Sequence, residues 1–536
     1  MENKKANGNI GNLFSLIFAV IIFVIGWYIF LPAFNLQSVG LWIFMIIIFA
    51  FLFITVSASE FISSKAKSKT INKKLLSVLG IIIALIILLF IVAIFSGSKI
   101  FRAKEYAVMI NDNIRKDSID NYKATLDNVP LLDRDSAVQL SNRELGSLID
   151  VVSQFELGDN EQVTITGNPV RVSPLFYGGF FKWLNNNENG TPGYIKLNMK
   201  TQDAELIRVE GGIKYSPSER FSRDIKRYLR FNYPTYIFDT IKFEVNEEGH
   251  PYWIAPEIKY TIGAFGGKDI ISIVTVNAVT GELNEYKKEE IPEWVDNVYS
   301  SELIMEQYDN YGAFQSGFLN SKFGQKGVTA TTEGYNYIPQ GNDNWIYTGI
   351  TSAGRDESNI GFILANKRTK EIIYYPLSGA EEYSAMSSAE GVVQHLGYTA
   401  TFPLLLKVNN QPTYVMALKD AGQLVKMYGM VNVAKYQIVA TGDTVDATEV
   451  KYAQLLKNNG VNDTTETTSS VKGKIVDIKT AVKEGTTYFY IKLEGKDIYY
   501  SINIVDSEEA ILLKAEDEIE LQIIDVESKI IPAVIK

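Results

Sequence analysis

The chain has 536 residues, of which 46% are hydrophobic, with 30 Tyr, 28 Phe, two His and no Cys. That length accommodates three or four soluble modules beside a membrane part, and so apolar a composition excludes extended disorder outside short linkers. The net charge of −10 is unevenly spread: residues 1–104 hold ten of the 52 Lys and Arg but two of the 62 Asp and Glu, leaving about −18 on the rest. An acidic body excludes general nucleic-acid binding, because phosphates demand a basic footprint.

In chain order, a membrane anchor comes first, over residues 1–104. Three apolar runs, Leu13–Leu31, Leu41–Ala58 and Leu75–Phe95, each approach the roughly 20 residues a helix needs to cross about 30 Å of hydrocarbon. They carry no intramembrane charge, which points to anchoring rather than conduction. With the N-terminus inside, seven of the ten basic residues (Lys4, Lys5, Lys65, Lys67, Lys69, Lys73 and Lys74) are cytoplasmic. The positive-inside rule therefore predicts a multi-pass plasma-membrane protein with an extracytoplasmic body. A bacterial envelope fits the absence of Cys, although a cytosolic body does too.

Two α+β regions are expected next, at 105–300 and 301–457. Asp135–Phe155 has the spacing of an amphipathic helix, with Asp135 as N-cap and Val138, Leu145, Leu148, Ile149 and Val152 inward. Further helices are expected over Ser218–Phe231 and Ser384–Leu396, the latter with Ala385, Ala389, Val392 and Val393 inward. Between them a turn recurs: Asn198 to Thr201, Asn277 to Thr280 and Asn366 to Thr369, 79 and 89 residues apart, each joining two strand-like runs. Asn tolerates left-handed backbone and its side chain bonds amides ahead of it, so these read as β-hairpins, two in the first region and one in the second. An Asn/Asp/Thr/Ser-rich linker follows at 458–470. Strong alternation over 471–536, with a short helix at Ser507–Lys514, predicts a five-stranded OB-like barrel.

The hairpins resemble those of PepSY modules, extracytoplasmic units of bacterial peptidase propeptides and envelope proteins. Val274-Thr-Val-Asn277-Ala-Val-Thr280-Gly281-Glu282 is the best match, whereas the other copies carry Gln202 and Lys370 in place of Gly281. Through TPGYIKLNMKTQ, NPVRVSPLFYGGFFKW and SNIGFILANKRTKE, residues 135 to 456 resemble an uncharacterised group of Gram-positive membrane proteins. That resemblance implies an envelope location and brings no catalytic residues.

Chemistry is sparsely signalled. His250 and His395 stand far apart, no HExxH motif occurs and no Cys can serve as ligand, so no metal, cofactor or catalytic residue is expected. Asp356-Glu357-Ser358-Asn359 and Glu381-Glu382 read as solvated turns or caps. Arg220, Arg223, Lys226, Arg227 and Arg230 form one basic helix in an acidic body; it either contacts an anionic wall polymer or lipid headgroups, or pairs internally with carboxylates. Tyr488, Phe489, Tyr490, Tyr499 and Tyr500 sit among carboxylates and read as barrel core and cross-strand partners rather than base-stacking groups. These features predict a non-enzymatic membrane-anchored scaffold or modulator that binds an envelope protein or wall component. The alternatives are an envelope hydrolase or transferase using carboxylates in an interdomain cleft, and a transporter accessory subunit.

Overall fold

The computed structural model describes residues 20–65, 73–126, 131–352, 358–461, 468–483, 486–524 and 529–536. Helix α1 is described over Val20–Phe30, and α2 (Val39–Lys65) and α3 (Lys73–Ser96) contain stretches long and apolar enough to cross a membrane, Val39–Ser57 and Lys74–Ser96. Residues 13–19 of the first expected span lie outside the described residues, so two candidate spans are seen where three were expected. Helix α4 (Lys99–Val108) leads from α3 into the body, and strand β1 (Ile114–Lys116) follows.

Four sheets come next among the described residues, antiparallel apart from one strand. The first region has α5 (Arg134–Ser147), α6 (Ile149–Val152), β2 (Phe155–Leu157), β3 (Glu161–Ile165), β4 (Asn168–Tyr177), α7 (Phe180–Asn186), β5 (Thr191–Asn198) and β6 (Ala204–Ile213). A second sheet is preceded by α8 (Ile225–Asn232) and runs in the order β10-β9-β8-β7, from β7 (Lys242–Val245), β8 (Pro251–Ile262), β9 (Gly266–Asn277) and β10 (Leu283–Lys287). The third follows α9 (Ser301–Phe314) and comprises β11 (Thr329–Thr331), β12 (Asn336–Gln340), β13 (Asp343–Ser352), β14 (Ser358–Asn366) and β15 (Ile372–Ala380). Strand β1 joins this third sheet, parallel to β15, so the chain leaving the apolar helices is clamped at the middle of the body. The fourth has α10 (Glu382–Val392), β16 (Thr399–Ala400), β17 (Leu404–Val408), β18 (Gln411–Lys419), β19 (Val425–Asn432), β20 (Val439–Gly442) and α11 (Val445–Asn458).

Strand alternation stacks these sheets. Trp253, Ala255, Val274 and Val276 pack with Val163, Val170, Val172 and Tyr194 of the first sheet. Their neighbours Ile254 and Ile273 turn the other way, onto Leu303 and Ile304 of α9 and Ile346, Ile363 and Ile372 of the third sheet. Tyr347, Phe362, Leu364 and Ile373 occupy the opposite face of that sheet and pack with α10 and the fourth sheet. Burial on both faces explains why runs such as IISIVTVN are apolar almost throughout.

Chain termini of the helices differ from expectation where the backbone breaks. The helix expected over 135–155 is interrupted at Leu148 (φ −92°, ψ 88°); the break rotates the buried face, so Val151 is buried while Ile149 and Val152 are exposed. Its N-cap is Asp133 rather than Asp135. The helix expected over 218–231 starts only at Ile225, because Asp224 caps it by accepting from the Arg227 amide. Similarly, α10 ends at Val392, which is exposed, and a 3-10 turn over Gln394–Leu396 stops at Gly397 (φ +68°). Strand β21 (Thr468–Lys483) begins inside the expected linker. With β22 (Thr486–Leu493), β23 (Tyr499–Asn503), β24 (Glu518–Ile524) and β25 (Ile530–Ile535) it closes a five-stranded barrel in the order β21-β22-β23-β25-β24. A 3-10 turn, Glu508–Leu512, occupies the position of the expected short helix. Phe489 and Tyr500 are buried in the barrel core, and the Tyr499 hydroxyl donates to Asp477 on β21 (2.6 Å).

Candidate functional site

The hairpin turns share one construction. Asn198 Oδ1 accepts from the Lys200 and Thr201 amides, Asn277 Oδ1 from those of Val279 and Thr280, and Asn366 Oδ1 from those of Arg368 and Thr369. Each Thr hydroxyl then accepts from the amide two residues on. Gln202 (φ +63°) and Lys370 (φ +64°) adopt the same left-handed conformation as Gly281 (φ +78°). A fourth turn at Asn432, accepting from the Ala434 and Lys435 amides, is one residue longer and lacks the Thr. The three-residue spacing search therefore misses it.

A cavity of about 440 Å³ opens where the first three sheets and the fourth unit meet. Its walls come from Asn160, Glu161, Gln162 and Arg171 on and beside β3 and β4, Lys242 of β7, and Ser301 at the start of α9. Tyr337 of β12, Lys367 in the Asn366 turn, and Lys419 with Asp133 complete it. Two of its cations are compensated: Lys242 Nζ lies 2.6 Å from Glu161, and Lys419 Nζ lies 2.7 Å from Asp133. Burial opposes the charge on Lys242, yet Glu161 more than restores it and the ammonium pKa is raised.

Arg171 and Lys367 are compensated differently. Both are only 4% exposed. Arg171 donates to Asn160 Oδ1 (3.1 Å) and Gln162 Oε1 (3.3 Å), neutral acceptors, while its Nε has no partner among the described residues. Lys367 donates to Asn297 Oδ1 and sits 4.7 Å from the centre of the Tyr337 ring. Burial depresses the pKa of both. Buried cations without a contacting carboxylate are costly unless an anion meets them; Glu161 favours both charges and Asp133 that of Arg171, but without contact, so the arrangement leaves two cations able to meet an anion. The N-terminal end of the 14-residue α9, whose Ser300 and Ser301 border the cavity, adds the positive end of a helix dipole.

Behind this wall lies a sealed pair of carboxyls. Glu244, completely buried, accepts from the Asp296 and Asn297 amides (2.8 and 2.7 Å); Asp296 accepts from the Thr164 and Asn344 amides (2.5 and 3.1 Å). Desolvation raises Glu244 to about 7, and desolvation together with the Glu244 charge lifts Asp296 well above its ordinary value. Neither lines the cavity. The pair ties β3, β7, the loop before α9 and β13 together.

The basic helix lies elsewhere, against the anchor. Arg223 approaches the buried Glu219 at 3.6 Å and donates to the Asn187 carbonyl. Arg227 lies 4.4 Å from the centre of the Tyr28 ring of α1, and Arg230 donates to the carbonyls of Leu31, Tyr233 and Tyr236. Burial lowers Arg230 to about 10. Arg220 and Lys226 are exposed. Only Arg223 thus follows the expected carboxylate pairing; Arg227 and Arg230 join the body to α1 instead.

Sequence reading passed over the cavity residues and the carboxyl pair behind them. The signal was a charge set between β-branched or aromatic neighbours, as in Val170-Arg171-Val172 and Phe243-Glu244-Val245. Glu381 is the N-cap of α10, as expected, but the reading of Glu382 and Asn359 as solvated needs correction. Glu382 is fully buried, accepting from the Tyr347 hydroxyl (2.7 Å) and Asn359 Nδ2 (2.9 Å), and Asn359 is buried with it. Asp356 and Glu357 lie outside the described residues. His250 and His395 are exposed and line no part of the cavity. No family model matches this chain, and no curated protein is significantly similar to it.

Proposed function

We propose that this protein is a membrane-anchored, extracytoplasmic binding module, a scaffold or modulator that takes an anionic group of a cell-envelope protein or wall polymer into its central cavity. The observation that carries this reading is the buried Arg171 guanidinium, which borders the cavity with neutral acceptors and an unpartnered Nε. Carboxylate and phosphate both suit a guanidinium fork. PepSY-like units and an OB-like barrel agree with the turn construction and the strand order.

Placement outside the cell is supported by the helix ends. The loop between α1 and α2 docks on the body, where the Phe34 amide donates to the Pro234 carbonyl and Gln37 Nε2 to the Tyr260 carbonyl. Chain returning through α3 meets the body again at Ser96, whose hydroxyl accepts from the Ala264 amide. The C-terminal end of α2 and the N-terminal end of α3 are therefore the ends away from the body, and the lysines in the sequence between them make that end cytoplasmic under the positive-inside rule.

The test is calorimetric titration of the full chain with inorganic phosphate, acetate and a glycerol-phosphate oligomer. Arg171→Met is expected to weaken saturable binding at least about tenfold, roughly 1.4 kcal/mol. Its melting temperature should stay close to wild type, because removing a buried charge offsets the lost hydrogen bonds. Equal affinities in wild type and variant would discard the reading.

A further inference from the structure

Among the described residues of the body, the exposed phenylalanines fall in two places, both beside the points where the chain passes between the body and the apolar helices. At the first, Phe180 and Phe181 of α7 are 52% and 77% exposed, and Phe221 is 64% exposed. This patch is continuous with α1. Phe180 and Phe221 both pack near Trp183 (5.6 and 6.0 Å between ring centres), Phe221 shares a pocket with Tyr28 and Phe231, and Phe231 meets Trp27 edge-on at 5.0 Å. The second patch flanks the exit of α3. Phe101 in the first turn of α4 is 70% exposed, and Phe323, in the turn after α9, is 84% exposed. Phe314 and Phe318 stack on each other (6.2 Å) and connect that turn to the buried face of α4, while Phe265 packs edge-on against Phe90 of α3 at 5.7 Å.

Contiguous exposed aromatics mark an interaction surface rather than ordinary surface hydrophobics. Here their partner is indicated by what they continue: both patches extend the apolar belt at the body end of the helices. Bases accompany them, Lys182, Arg220 and Lys226 at the first and Lys322 at the second, on a body that is otherwise acidic. Aromatic rings beside basic side chains match the bilayer interface, where rings sit at headgroup level and cations meet lipid phosphates. We infer that the body is seated on the outer face of the bilayer by two aromatic prongs, Phe180–Phe181–Phe221 and Phe101–Phe323, dipping into the headgroup region. This rests on reading α2 and α3 as membrane spans. Two contacts on either side of the helix bundle would hold the body in one orientation, which a single flexible tether could not do.

The absence of native Cys makes the test clean. Phe181→Cys, Phe323→Cys and, as a control on the barrel, Val505→Cys are labelled with an environment-sensitive fluorophore in the full chain. Each is reconstituted at one copy per pure-lipid nanodisc. The expected result is blue-shifted emission and quenching by nitroxide-labelled lipid at positions 181 and 323, with neither at 505. Iodide quenching at 181 and 323 equal to that at 505, in chains that still resist carbonate extraction from liposomes, would overturn the seating while leaving the spans intact. Carbonate-extractable chains would overturn both. Shielding that arises only with two copies per disc would assign the patches to self-association and overturn the lipid assignment.

Discussion

Glu244 shows how much of this molecule's behaviour is set by single buried groups. Its carboxyl pKa is raised to about 7 by desolvation, against an unfolded value near 4.3. Between these values the folded state binds more protons than the unfolded one, so this group's stabilisation is full below the unfolded pKa and lost as pH rises through 7. Asp296, raised as well, acts in the same direction. Lys367, lowered by burial, has the opposite sign: stability rises with pH as its ammonium deprotonates. Glu161 also acts electrostatically on Lys367, and Asp343 on Asp296. Glu244→Gln is accordingly expected to flatten the fall in stability from pH 5 to 8, measured by denaturant titration at each pH. A slope identical to wild type would mean that the pair does not hold its proton in the folded state. Arg171 makes the related point for cations: a charge kept in so dry a position is explained by a ligand better than by stability.

Among elements, the recurring hairpin carries the clearest energetics. Asn277 accepts two amides that would otherwise lack partners in the turn, so Asn277→Ala should cost about 1–2 kcal/mol. Gln202 is a different case, a side-chain-bearing residue held at φ +63° on an exposed turn. Relief of left-handed strain outweighs the extra chain entropy of glycine, and Gln202→Gly should stabilise the hairpin by up to about 1 kcal/mol. Native-state hydrogen exchange of β5 and β6 amides reads this directly, and faster exchange in the variant would contradict it. Gln202→Gly gives up a hydrogen bond to Tyr428, whereas Lys370, in the same conformation, would lose an ion pair, its ammonium lying 2.8 Å from the half-buried Asp269. Helix boundaries were the least legible elements. Periodicity over 135–155 and 218–231 continues through positions where Leu148 and Asp224 break the backbone, and nothing in apolar spacing marks such breaks.

For the whole molecule, the decisive relation is between the apolar helices and the body. Arg230 and the loop after α1 join them by hydrogen bonds rather than by a bare tether. The proposed topology predicts that His395→Cys, at an exposed position of the fourth unit, reacts with a membrane-impermeant maleimide on intact protoplasts. Reaction only after lysis would place the body inside. Composition and hydropathy alone determined that an acidic α+β body with β-hairpins and a C-terminal barrel follows apolar helices, because charge balance, apolar run length and two-residue alternation are local properties. Tertiary structure decided the rest. It joined β1 to β15 across more than 250 residues of sequence, buried Glu382, set Arg227 and Arg230 against the anchor, and brought Arg171 and Lys367 to one cavity from separate sheets. Burial and juxtaposition depend on which faces pack together, and no spacing along the chain encodes that.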